Sequence, residues 1–159
     1  SVPTAGGGST VAAPGGWGHV HNIALDGTRL LLGTHDGLWQ QESGQQPTQL
    51  SSTAFDVMGL ATNGNSHLAS GHPPEGSSGS ADLGLITSTD GGRSWTEVSL
   101  GGQVDFHRLV ATDNVVTGIS AGDDTLIRSI DGGSTWTSLG KTTLYDIAMD
   151  PNEIGRAHV

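Results

Sequence analysis

Leu83 to Leu100 reads L-G-L-I-T-S-T-D-G-G-R-S-W-T-E-V-S-L, and Leu126 to Leu139 reads L-I-R-S-I-D-G-G-S-T-W-T-S-L. Each is an apolar strand, a Ser/Asp/Gly turn and a second strand opened by a Trp, the pattern of a β-hairpin. Ser88, Asp90, Gly92 and Trp95 of the first copy return as Ser129, Asp131, Gly133 and Trp136, each 41 positions later. A fixed period of that size marks a propeller or an array of like units.

The turn has a mechanical reading. An Asp entering a tight turn accepts bonds from backbone N–H groups beyond it, the Gly pair takes φ > 0, and Ser and Thr hydroxyls close the remaining polar groups. The Trp is then expected to fold over the turn as an apolar lid. These residues fit S-x-D-x-G-x-T-W, the pattern of the Asp-box (BNR) repeat, which resembles the blades of sialidase-like and related β-propellers. That resemblance implies fold far more than activity, because in that family the Asp-box is a structural turn on the face away from the functional site.

Working outward, His19 to Leu25 predicts a strand, Asp26-Gly27 a turn and Leu30 to Thr34 a second strand. Gly37 to Glu42 and Pro47 to Leu50 complete a first four-stranded unit, whose turn has decayed to E-S-G-Q-Q-P. The second unit starts at Asp56, turns at Asn63-Gly64, resumes at His67 to Ser70 and inserts a Pro/Gly/Ser-rich loop, Gly71 to Asp82, before the first hairpin. The third starts at Asp105, pairs with Val115 to Ser120, turns at Gly122 to Asp124 and ends in the second hairpin; Leu144 to Met149 begins a fourth. The expected fold is all-β: a partial β-propeller of three four-stranded antiparallel blades plus the first strand of a fourth. Such a piece does not close a ring of the usual size, so further blades are expected from elsewhere.

Aligning the first strands puts His21, Met58, His107 and Tyr145 at one equivalent position, with His19, Asp56 and Asp105 two residues earlier. In a four-stranded blade the first strand lies innermost. Antiparallel geometry then places its start and the loop between the second and third strands on one face, and the Asp-box turns on the other. His19, His21, Asp56, Met58, Asp105 and His107 fall in the first set, and His35, Asp36, His72, Glu75, Asp123 and Asp124 in the second. Five imidazoles, His19, His21, His35, His72 and His107, are thus expected at one mouth, while His67 goes to the opposite side.

His19 and His21 lie roughly 6 to 7 Å apart along one side of a strand, a spacing that suits two ligands to one metal ion. Neutral imidazoles beside a carboxylate suit Zn(II), and His with Met58 would favour copper. The metal set read from the sequence is therefore His19, His21, Met58 and His107, with His35, His72 and Glu75 as contacts to a polar ligand. The plainer alternative is that these histidines satisfy backbone groups at a propeller mouth and bind nothing.

Composition bounds the rest. The chain has 159 residues, 26 glycines, no cysteine and a net charge of −10 from sixteen acidic and only six Lys and Arg residues. A nucleic-acid surface is excluded by that charge, and disulfide or thiolate chemistry by the missing cysteine. No run approaches transmembrane length. Residues 1–17, a Gly/Ala/Ser/Pro stretch ending in Trp17, read as a flexible linker, and 18–152 as the propeller domain. The linker could follow a removed signal or a lipid anchor upstream. Residues 153–159, E-I-G-R-A-H-V, read as the translation of a sequencing adapter, so the natural chain is expected to run on and this is a fragment.

The wider combination H-V-H, T-H-D-G-L, M-G-L, S-G-H-P, L-G-L-I-x-S-T-D and D-F-H, over Gly18 to Asp150, resembles a bacterial family of exported Asp-box propellers labelled glycosyl-hydrolase-like, related to sialidases and to photosystem II assembly-factor propellers. The resemblance implies an extracytoplasmic location and leaves a glycan among the candidate ligands. Glycoside hydrolysis needs two carboxyl groups flanking a bond, for which Asp56 and Asp105 are the candidates, with Glu75 and Asp82 on the inserted loop. Sialidase activity is not expected. It needs arginines gripping the substrate carboxylate, whereas Arg29 and Arg93 fall in far-side turns, Arg108 alternates away from His107, and Tyr145 is the one tyrosine. Asp123-Asp124 reads as a solvated turn. Asp90 and Asp131 lack the later Glu of a calcium loop.

Overall fold

The computed structural model describes residues 18–50 and 55–150, together with the backbone of 157–158. The linker and most of the adapter-like tail therefore lie outside the described residues. Twelve strands form three sequential antiparallel sheets. The first is β1 (Val20–Asp26), β2 (Arg29–Thr34), β3 (Gly37–Gln41) and β4 (Thr48–Gln49). The second is β5 (Asp56–Asn63), β6 (Ser66–His72), β7 (Leu85–Ser88) and β8 (Thr96–Ser99). The third is β9 (Phe106–Thr112), β10 (Val115–Ser120), β11 (Thr125–Ser129) and β12 (Thr137–Lys141). Each sheet is a meander of neighbours in chain order, a blade.

Of the expected fourth unit, only Ala148–Met149 (β13) is strand, and it pairs with Ala157–His158 (β14). Tyr145, aligned in sequence with His21, Met58 and His107, precedes that strand and is exposed. Among the described residues no helix is long and apolar enough to cross a membrane.

The blades pack face to face. Leu31 and Leu38 of the first meet Val57, Leu60 and Ile86 of the second in one cluster, and Leu68 and Leu85 of the second meet Phe106 and Val116 of the third in another. Leu31, Leu38 and Leu85 are fully buried, and each stabilises the fold by roughly 2 kcal/mol through apolar burial. Gly59 permits the innermost strands to approach, since a Cβ there would sit 2.4 Å from the Phe106 carbonyl oxygen. Ile23 and Leu25 on β1, and Ile130 and Leu139 in the third blade, are exposed.

The repeated turns do what their composition demands. In the second blade the Asp90 carboxylate accepts from the Ser88 hydroxyl and from the backbone N–H groups of Arg93 and Ser94. Asp131 repeats this with Ser129, Ser134 and Thr135. Hydrogen bonds to the ionised form hold both carboxyls below their ordinary value, Asp131 at about 2, the Thr135 hydroxyl being its largest cause and the Ser94 hydroxyl that of Asp90. All four turn glycines take positive φ.

The turn is more than a capped loop. A Cβ on Gly92 would lie 2.7 Å from Leu38, and one on Gly133 2.2 Å from Leu85, each in the preceding blade. Trp136 donates to the Gly133 carbonyl at 3.0 Å and to the Ser99 hydroxyl of the preceding blade at 3.0 Å, while its ring packs on Phe106. The expected lid is therefore also a clasp between blades.

Candidate functional site

The starts of β1, β5 and β9 meet at one mouth, and the polar residues there are spaced by the blade repeat. His35 donates its N–H to the His19 carbonyl, Asp56 pairs with His72 across β5 and β6, and Ala121 donates to the Asp105 carbonyl. So His19, Asp56 and Asp105 are equivalent, each faced by His35, His72 or Ala121 from its own blade.

Two residues further on, every innermost strand carries a one-residue bulge. The register skips His21 between Val20 and Asn22, Met58 between Val57 and Gly59, and His107 between Phe106 and Arg108. A bulge leaves the extra residue outside the ladder and re-aims its side chain. This repeated irregularity turns His21 and His107 toward the carboxylates, and simple strand alternation does not reveal it. Gly71 serves the same mouth: at φ 152° it lies against Asp56, whose carbonyl oxygen would be 1.7 Å from an added Cβ.

Each Asp reaches back to the preceding blade. Asp56 Oδ1 lies 3.1 Å from His21 Nε2 and Asp56 Oδ2 3.1 Å from His35 Nδ1, both on the first blade, and 3.6 Å from His72 Nδ1 on its own. Asp105 Oδ2 lies 3.3 Å from His72 Nε2 in the preceding blade and 2.6 Å from His107 Nε2 on its own strand. The His19 and His21 rings are 4.6 Å apart. The five imidazoles named from sequence thus form one continuous network with the two Asp residues, and Asp82 joins it 3.7 Å from His72 Nε2.

Of the buried atoms in this network, Asp105 Oδ1 has no hydrogen-bond partner, while His21 Nε2 and Asp56 Oδ1 face each other at 3.1 Å without a well-aligned hydrogen bond. Burial also lowers the pKa of His21, the neighbouring His19 adding to that effect and Asp56 opposing it, so the ring is held as the neutral base. His21, His35 and Asp56 offer three ligand atoms within 4.8 Å of one another. Two imidazole nitrogens and a carboxylate oxygen are a donor set that could hold a metal ion.

The grouping differs from the set read off the sequence. His35 and Asp56 join His21, while His107 lies on Asp105. The His19 ring lies tilted against that of His21, and the Met58 backbone carbonyl accepts from the Asn22 side-chain amide. Beside the cluster, His35, Asp36, Asp56, His72, Pro73 and Glu75 border an open cavity of about 480 Å³. Asp123 lies in the β10–β11 turn, accepting from Thr125.

The opposite face carries a different set. His67 is buried, 3.1 Å from the Asp26 carboxylate, which Arg29 also engages; the Arg29 hydrogen bond is the main cause of that carboxyl's lowered pKa. Arg29 reaches Gly91 in the first repeated turn, and Gly132 in the second donates to Asn114 in the β9–β10 turn. Arg108 is held by the Tyr145 carbonyl and lies 3.6 Å from Asp146, outside the His/Asp network.

A meander of blades around a shared mouth defines the chain as β-propeller in class. No protein-family model matches it, and no curated protein matches it in sequence. Solved structures do resemble it. YCF48 bound to D1 peptide superposes with a TM-score of 0.55 at 20% identity, over 77% of this chain and 40% of that one. YCF48 from Cyanidioschyzon merolae gives 0.57 at 16% identity, over 80% and 42%. The GH74 xyloglucanase from Xanthomonas campestris gives 0.54 at 18% identity, over 76% and 20%. The chain therefore spans about two-fifths of the YCF48 chains and one-fifth of the GH74 enzyme, and the likeness is one of fold.

Proposed function

We propose that this chain is the metal-bearing part of an exported β-propeller binding module, with one divalent zinc ion on His21, His35 and Asp56. The observation that carries this reading is the convergence of those three donors, with His21 Nε2 and Asp56 Oδ1 buried and facing each other at 3.1 Å. Copper is the second choice, which the imidazoles also suit. The open coordination position faces a polar ligand in the adjoining cavity, where Glu75 and Asp36 favour a neutral or cationic group. The extracytoplasmic setting belongs to the same proposal and rests on the family resemblance.

A glycoside hydrolase acting through Asp56 and Asp105 is the competing reading, and the GH74 neighbours favour it at the level of fold. Against it, each of the two carboxylates is engaged by imidazoles, and His72 stands between them. Metal analysis after dialysis against zinc or copper tests the proposal. Retention of an equivalent that is lost in His35→Ala supports it. A metal-free protein that releases sugar in the presence of chelator, and stops doing so as Asp105→Asn, overturns it in favour of hydrolysis.

A further inference from the structure

We infer a second divalent-metal site at the same mouth, formed by His72 Nε2, Asp105 and His107 Nε2, with Asp82 within reach. Its donors are separate from His21, His35 and Asp56, so it does not require the first site to be occupied. Asp105 is its anchor. The residue is nine-tenths buried, its Oδ1 has no partner, and both imidazole nitrogens converge on its other oxygen, at 2.6 and 3.3 Å.

His72 aims both ring nitrogens at carboxylates: Nδ1 lies 3.6 Å from Asp56, and Nε2 3.3 Å from Asp105 and 3.7 Å from Asp82. A metal ion at this place would take Nε2 and Asp105 as ligands. Nδ1–H then donates to Asp56, the arrangement by which a carboxylate orients a metal-bound imidazole. Asp56 would in this way be a ligand of one ion and the orienting partner of a ligand to the other. Half-exposed His107, placed on a bulge, is the side chain free to close this set, whereas His21 and Asp56 of the first are largely buried. The second ion is therefore expected to bind more weakly and after the first.

The test is titration of the full chain with Zn(II), and with Co(II) as a spectroscopic probe, counting bound equivalents at neutral pH. Wild type is expected to bind two, the weaker lost in both Asp105→Asn and His107→Gln while the tighter survives. His107→Gln is the safeguard if the buried Asn variant fails to fold. One equivalent that both variants retain overturns the second site. One equivalent that is lost in His107→Gln but kept in His35→Ala leaves this site standing and overturns the first. No bound metal in wild type overturns both.

Discussion

At the turn-bearing end of the blades each signature polar group finds a partner within four residues: Ser88 with Asp90, Asp90 with Ser94, Ser129 with Asp131, Asp131 with Thr135. At the mouth the partners lie in different blades, His35 on Asp56 and His72 on Asp105, 21 and 33 positions apart, and the buried Asp105 Oδ1 is left unmatched. Local satisfaction is what a structural element needs. Long-range convergence with unused donors is what a binding site needs, because a ligand must have something left to bind. The contrast separates the part of this molecule that holds the blades together from the part that can act.

Substitutions sharpen that contrast. Trp136→Ala removes the ring from Phe106 and the N–H from Ser99, so a loss of about 3 kcal/mol is expected in urea unfolding, with zinc affinity of the folded protein unchanged. Unfolding unchanged by this variant would sever the clasp from stability. Asp56→Asn should have the opposite profile. A fall in zinc affinity of at least about 100-fold is expected by calorimetry, beyond what loss of an outer-shell partner usually costs, with the thermal midpoint of the apoprotein little moved. Equal effects on binding and melting would erase the division between the two faces.

Ser129→Ala is expected to cost about 1.5 kcal/mol, since the buried hydroxyl serves both Asp131 and the Gly133 N–H. A neutral result in denaturant titration would mean that the turn holds through Asp131 alone. The smallest effect is on acid stability. Asp131 has a folded pKa lowered from 3.8 to about 2, so its contribution is complete above 3.8 and lost as pH falls toward 2. Unfolding free energy should accordingly drop less steeply with acid over that interval in Asp131→Asn than in wild type, and parallel slopes would contradict the linkage.

Much of this was legible in the chain. The D-G-G-x-x-W turn carries its own hydrogen-bonding instructions over a few residues, so its 41-residue recurrence announced both hairpins and, through them, the blades. The gathering of His19, His21, His35, His72 and His107 followed from antiparallel order alone. What could not be read was their partnership. Strand alternation grouped His21 with Met58 and His107, whereas the bulge in every innermost strand and the backward reach of each Asp put His21 with His35 and Asp56, and His107 with Asp105. His72 carried no mark of its bridging place, because a position at the end of β6 acquires two carboxylate neighbours only when three blades are stacked.

By itself, then, the sequence determined the repeating hairpin, the blade order and the end of each blade at which its polar residues stand, since these depend on interactions between residues close along the chain. Only the tertiary structure decided which imidazole faces which carboxylate. That choice depends on the stagger and approach of neighbouring blades, set by contacts such as Gly59 on Phe106 and Gly133 on Leu85 that join residues tens of positions apart.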